Sequence, residues 1–175
     1  MIELGPKTVT PARAEVVRDF ARSELFERTF QEGMELVEDT AAYLDGPGRQ
    51  ESKLLSRNAA LAYAGESMRL TTRLMQVASW LLVQRAVREG DMNPSDACQD
   101  RYRVNPTPPR PVEDGEAAPE ALPEGLLSLL NRSERLHERV LHLDRRMYLE
   151  TPGEEAPNPV LSQFERLRTA FTGMA

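Results

Sequence analysis

The chain has 175 residues, of which 40% are hydrophobic and 29% are charged, and these values are typical of a single globular domain. Its net charge of −6 argues against non-specific binding to nucleic acid, which depends on the neutralisation of phosphates. The single cysteine, Cys98, excludes an intramolecular disulfide and fits a reducing compartment. We find neither a signal segment nor an apolar run long enough to cross a membrane. We therefore expect a soluble, cytoplasmic protein without membrane insertion.

The first predicted helix covers residues 11–44 and has room for a bend. Thr10 is a capping residue, and Pro11 suits the first helical turn. An apolar seam with helical spacing follows from Phe26 onward. We expect the Asp-Gly-Pro-Gly sequence at 45–48 to end the helix, because two glycines and a proline do not continue one. The charged and amide residues that come next are predicted to form a loop: Arg49, Gln50, Glu51 and Ser52.

The second predicted helix covers residues 57–89, from a cap at Ser56 to a stop at Gly90, and it carries two apolar stripes. The first stripe is Leu61, Ala64, Met68, Thr71, Met75, Ala78 and Leu82, and the second is Leu70, Leu74, Val77 and Leu81. An amphipathic helix needs only one stripe to face a core, so this pattern predicts a second neighbour, inside or outside the chain. We expect Met68, Met75 and Leu82 to be core residues. The second stripe is then the predicted surface for another protein.

The rest of the chain alternates between helical and non-helical patterns. Asn93 and Pro94 predict a short helix that continues through Tyr102. Residues 104–120 are rich in proline and acidic residues, and we interpret them as a disordered linker. The third long helix is predicted at 124–149, where an apolar seam returns: Leu126, Leu129, Ser133, Leu136, Val140, Leu143 and Met147.

Three apolar seams without any strand pattern predict an all-α fold, an antiparallel three-helix bundle. We assign the bundle to residues 11–149, with flexible ends at 1–10 and 150–175. The C-terminal tail holds a short amphipathic pattern, formed by Leu161, Phe164, Leu167, Arg168 and Phe171.

Patterns for catalysis or metal binding are missing from the sequence. His137 and His142 are five residues apart, which places them about 140° apart around a helix and prevents a shared metal. Glu134 and His137 have the spacing of a di-iron bundle, but the second such motif is absent. Acidic neighbours of Cys98 disfavour a thiolate. We therefore expect no enzymatic activity, no cofactor and no metal, and we interpret these histidines as surface residues.

Arginines in the third predicted helix alternate with acidic residues. This alternation favours a solvated, ion-paired face over contact with nucleic acid. We therefore expect no direct nucleic-acid partner.

Four stretches carry a resemblance to a known family. They are residues 32–34 (EGM), 41–52 (AAYLDGPGRQES), 66–76 (ESMRLTTRLMQ) and 78–83 (ASWLLV). Over about residues 26–89 the chain closely resembles the RcdA family of bacterial ClpXP protease adaptors, named for the regulation of CtrA degradation. The long proline-rich linker departs from that family's pattern.

The resemblance implies a three-helix bundle that forms a homodimer and lacks enzymatic activity. It also implies delivery of cell-cycle regulators to ClpXP for regulated degradation. The expected partners are ClpXP primed by a response-regulator adaptor, transcription-factor cargo, a cyclic-di-GMP-binding adaptor and a second copy of the chain. This function is compatible with recruitment to a cell pole.

Two sets of residues are the candidate binding surfaces. The candidate partner-binding residues are Arg49, Gln50, Glu51, Ser52, Ser67, Arg69, Thr72 and Arg73, and the candidate dimer or cargo surface is Leu70, Leu74, Val77 and Leu81. Mixed surfaces with arginine and apolar groups suit reversible interfaces. The alternative function is a dimeric binding module that sequesters a transcription regulator without affecting proteolysis.

Overall fold

The computed structural model describes residues 11–106 and 122–148, and these residues form helices and connecting turns without a strand. Six α-helices follow one another in this part of the chain: α1 (Pro11–Ala21), α2 (Glu24–Asp45), α3 (Pro47–Ser52), α4 (Arg57–Glu89), α5 (Pro94–Ala97) and α6 (Glu124–Tyr148). A short 3₁₀ helix spans Asp100–Tyr102. The predicted all-α class is confirmed.

The predicted bounds of α4 are correct because the capping residues act as expected. The Ser56 hydroxyl accepts a hydrogen bond from the Ala59 backbone N–H at 3.2 Å, which satisfies one of the free donors of the first turn. Gly90 ends the helix with a φ of 86°, a left-handed conformation that glycine adopts without strain. Between these caps α4 has 33 residues, so it is about 50 Å long.

The first predicted helix is wrong in its continuity, because it is divided into α1 and α2. Ser23 is extended, with φ −75° and ψ 155°. Its hydroxyl accepts from the Phe26 N–H at 3.1 Å and donates to the Phe20 carbonyl at 2.7 Å. One serine therefore ends α1 and caps α2, whereas the sequence pattern predicts only a bend.

The long helices α2, α4 and α6 contact one another pairwise, and α1 packs against α4, α5 and α6. Helices α2 and α4 are antiparallel: Glu27 pairs with Arg88, and Gly33 lies beside Leu81. A Cβ at Gly33 would be 2.5 Å from Leu81 Cδ1, so glycine permits this close approach.

Helices α4 and α6 are parallel, which corrects the predicted antiparallel arrangement. Three hydrogen bonds, each 2.9 Å long, join the two helices. The residue numbers of the bonded pairs increase in the same direction along both helices, as they do only in a parallel pair. The pairs are Arg73 with Ser133, Trp80 with Asp144 and Gln84 with Tyr148. The expected antiparallel three-helix bundle is thus corrected on two points: the described residues form six α-helices, and α4 runs parallel to α6.

Parallel neighbours explain why the segment between α4 and α6 is long. The chain leaves α4 at Gly90 and has to return along the helices before α6 begins at Glu124. Val104, placed at the start of the predicted linker, is buried, so the packed region extends further than expected. The predicted disorder of 107–120 lies outside the described residues, as do the predicted flexible ends.

A buried carboxylate holds the start of this return segment. Asp144 is 2% exposed and accepts from Trp80 Nε1 at 2.9 Å and from Arg103 Nε and Nη2 at 2.7–3.0 Å. The Arg103 guanidinium also lies 4.7 Å above the Tyr148 ring. Asp144 thus joins α4, α6 and the return segment, and its charge is paired as burial requires.

Replacing Asp144 with alanine should lower the free energy of unfolding by about 3 kcal/mol, because Arg103 would lose its partner in a buried site. Urea denaturation measures this loss. Asp39→Ala is the matched control, since Asp39 pairs with Arg132 at 2.8 Å on the surface. It should cost less than about 1 kcal/mol. Equal losses in the two variants would contradict a structural role for Asp144.

Candidate partner-binding surface on helix α4

The second apolar stripe of α4 is buried, so its assignment as a dimer or cargo surface is wrong. Leu70, Leu74, Val77 and Leu81 have side chains that are at most 5% exposed. They lie on the side of α4 that bonds to α6 through Arg73, Trp80 and Gln84, and this side also meets Gly33 of α2. These leucines and the valine are therefore core residues.

The first stripe is exposed, so the expectation that Met68, Met75 and Leu82 are core residues is also wrong. Their exposed fractions are 72%, 66% and 52%, and Leu61 is 67% exposed. Two apolar stripes of similar strength cannot by themselves indicate which one faces the core. The polar residues between the buried positions, Arg73 and Gln84, conceal the true core side in the sequence.

We call the first stripe the outer stripe. All of its members are exposed except the half-buried Ala78: Leu61, Ala64, Met68, Thr71, Met75, Ala78 and Leu82. Large residues recur every seven positions, and Ala64, Thr71 and Ala78 lie between them. This repeat is the seam that two helices use in a coiled coil. Leu54, which is 87% exposed, extends the same seven-residue spacing into the turn before α4. Sequence reasoning missed Leu54, although the spacing from 54 to 82 could have indicated it.

The prediction of a loop at residues 49–52 is wrong, because these residues belong to helix α3. Pro47 starts α3 at the first helical position, where its missing N–H is not needed. Arg49, Gln50 and Glu51 are exposed and Ser52 is half-buried. Their use in partner binding stays a prediction.

The hydrogen bonds of α3 are local, except for one that joins it to α2. Glu51 accepts from the Tyr43 hydroxyl at 2.7 Å. Burial, together with this hydrogen bond and the Glu51 charge, raises the pKa of Tyr43 above its ordinary value. The contact holds α3 against α2, while the side chain of Arg49 projects from the exposed side of α3.

The other predicted partner-binding residues lie in different environments. Thr72 is exposed beside the outer stripe, whereas Ser67 and Arg69 are half-buried, with Arg69 3.9 Å from Glu66. Arg73 is buried and donates to the Ser133 hydroxyl at 2.9 Å. Arg73 therefore supports the core, and its predicted role in partner binding is corrected.

His137 and Cys98, two residues of types that often serve in catalysis or metal binding, are buried or half-buried. His137 is buried, contrary to its predicted surface position, and its Nε2 lies 3.3 Å from the Asn105 carbonyl. Desolvation lowers the pKa of His137. Burial also raises the pKa of the Cys98 thiol. The thiolate is therefore disfavoured by burial, and not by the acidic neighbours that the sequence suggested.

Residues 11–106 and 122–148 contain neither a metal-binding cluster nor a helix that could span a membrane. No group of three or more histidine, cysteine, aspartate or glutamate side chains there could hold a metal ion. No helix in these ranges is both long enough and apolar enough to cross a membrane.

Comparison with known proteins identifies the family. Residues 17–171 match the model of a family described as "Protein of unknown function (DUF1465)", which is the RcdA family. The chain belongs to the RcdA family. A solved relative, RcdA from Caulobacter crescentus CB15, is 67% identical, with a TM-score of 0.63, and the match covers 77% of this chain and 99% of that one. No curated protein sequence matches the chain. The resemblance carried by residues 26–89 is confirmed.

The two stripes should respond differently to substitution. Met68→Glu with Met75→Glu should change the free energy of unfolding by less than about 1 kcal/mol, because both side chains are in solvent. Leu70→Ala and Leu74→Ala should each cost about 2–5 kcal/mol by leaving cavities. Urea denaturation of the monomer at low protein concentration distinguishes the two sets. A large loss in the glutamate variant would mean that the outer stripe belongs to the core.

Proposed function

We propose that this member of the RcdA family is a non-enzymatic adaptor that delivers cell-cycle regulatory proteins to the ClpXP protease. The observation that carries the proposal is the outer stripe, a row of large apolar side chains exposed along α4. Contiguous apolar surface of this kind is unusual on a monomeric protein and is typical of an interaction site. Membership of the RcdA family supports ClpXP as the destination of the bound protein.

The side chains of the outer stripe suit a surface with more than one partner. Met68 and Met75 occupy its centre, and methionine adapts its shape to different surfaces because it is flexible and polarizable. Thr72 adds a polar group beside them. We expect this surface to bind transcription-factor cargo or the cyclic-di-GMP-binding adaptor, with a second copy of the chain as a competitor.

Helix α3 provides a chemically different surface next to one end of the outer stripe. Its exposed residues Arg49, Gln50 and Glu51 are charged or polar, and Leu54 connects them to α4. We propose that α3 contacts the primed protease while the stripe holds cargo. Binding both raises the local concentration of cargo at ClpXP without any new catalytic group.

The outer stripe is complementary to a second copy of itself when the two helices are antiparallel. If Met75 faces Thr71 of the second copy, Met68 faces Ala78 and Leu82 faces Ala64. Met68, Met75 and Leu82 then each meet a small residue, as knobs-into-holes packing requires, whereas Leu61 faces Arg85 at the edge of the contact. A parallel arrangement in register would instead place methionine against methionine and alanine against alanine. We therefore propose an antiparallel α4–α4 homodimer.

Cysteine cross-linking tests this register in a Cys98→Ser background. Thr71→Cys and Met75→Cys chains with different tags should form a mixed disulfide on mild oxidation, because a disulfide needs Cα atoms within about 7 Å. Each variant alone should cross-link much less. Efficient formation of the Met75→Cys homodimer alone would indicate the parallel register, and no cross-linking at any position would contradict the α4 interface.

Reconstituted degradation tests the adaptor function. This protein should lower the apparent KM of primed ClpXP for a matched cell-cycle regulator by about tenfold, with little change in kcat, because tethering acts on local concentration. An unrelated ClpXP substrate is the control and should be unaffected. If the regulator forms a stoichiometric complex with this protein but is degraded at the same rate, the sequestration module is the better account.

A further inference from the structure

We propose that residues 160–171 of the same chain dock on the outer stripe, so that cargo or a second copy has to displace them. The stripe is an exposed helix face, and the occupant we assign to it is a segment outside the described residues. This intramolecular contact is independent of the adaptor function proposed above.

The sequence of residues 160–171 matches the stripe in pattern. Val160, Phe164, Leu167 and Phe171 are spaced four, three and four residues apart, which is the spacing of a seam that packs against a heptad. The family match also runs through Phe171, so it includes the whole segment.

The other parts of the chain outside the described ranges are poorer occupants. Residues 107–121 contain one large apolar side chain, Val112, among four prolines and several alanines that are too small to fill the seam. In residues 1–10, Gly5 and Pro6 interrupt the apolar residues. Only residues 160–171 combine several large apolar groups with helical spacing.

The segment can reach the stripe from the end of α6. The Tyr148 hydroxyl accepts a hydrogen bond from Gln84 Nε2 at 2.9 Å, and Gln84 is two positions from Leu82 of the stripe. Residues 149–159 can span up to about 36 Å when extended, whereas α4 with its side chains is about 10–12 Å across. The spacer is therefore long enough to pass around α4, and residues 160–171 as a helix would cover about 18 Å of the stripe.

Attachment to the same chain gives the segment an advantage over free partners. Because only residues 149–159 separate the segment from α6, its effective concentration at the stripe is of the millimolar order given by short linkers, so even weak docking competes with partners at micromolar concentration. A partner that binds the tail would then also uncover the stripe. Docking thus couples the state of the tail to recognition on α4.

Methionine oxidation in the full-length chain tests the docking. Dilute hydrogen peroxide converts each thioether to a sulfoxide and water, at a rate that depends on access to the sulfur. Mass spectrometry would follow Met68 and Met75, with the buried Met147 as an internal reference. Phe164→Glu with Phe171→Glu removes the apolar contacts, and Gln163→Glu with Thr169→Glu adds the same charge at other positions of the segment.

At a dilution where the chain is monomeric, we expect Met68 and Met75 to oxidise about tenfold faster in the phenylalanine variant than in the wild type. The control variant should match the wild type, and Met147 should be unchanged in all three. Equal rates in the wild type and the phenylalanine variant would overturn the proposal. Protection of Met68 and Met75 that increases with protein concentration but is the same in the tail variants would also overturn the proposal, because the occupant of the stripe would then be a second copy. Neither readout uses ClpXP, so failure here is distinct from failure of the adaptor function.

Discussion

The rotation of α4 about its own axis determines which surface the protein presents. Buried hydrogen bonds from Arg73, Trp80 and Gln84 to α6 set this rotation. A rotation that buried the outer stripe instead would break the hydrogen bonds that Ser133, Asp144 and Tyr148, all buried on α6, make to α4. A buried polar group without a partner costs about 1–3 kcal/mol, so the polar pairs decide between the stripes. The outer stripe is exposed as a direct consequence.

The same polar pairs account for the path of the chain. Because they join α4 and α6 in parallel, the chain has to return along the helices between Gly90 and Glu124. Arg103 ties the first part of this return to Asp144, and Val104 is buried beside it. The long proline-containing segment, which departs from the expected family pattern, thus serves a geometric need. A connection between antiparallel helices could be much shorter.

The sequence predicts the local structure well and the relative orientation of the helices poorly. Caps at Ser56 and Gly90 fix the ends of α4, and the seam of α6 is correct for residues such as Leu126 and Val140, because local signals carry this information. Periodicity could not predict which of the two α4 stripes is buried and which is exposed, since both are apolar. The decisive partners, Ser133 and Asp144, are about 60 residues away from Arg73 and Trp80. Such long-range pairs leave no periodic signal.

The central claim is that the outer stripe of α4 is the recognition surface, and its most direct test combines surface substitution with degradation. Met68→Glu with Met75→Glu should abolish the stimulation of ClpXP while the chain stays folded. Leu127→Glu changes a side chain that is 44% exposed on α6 and should retain the stimulation. The account predicts loss in the α4 variant alone. Full stimulation by a folded α4 variant would contradict it.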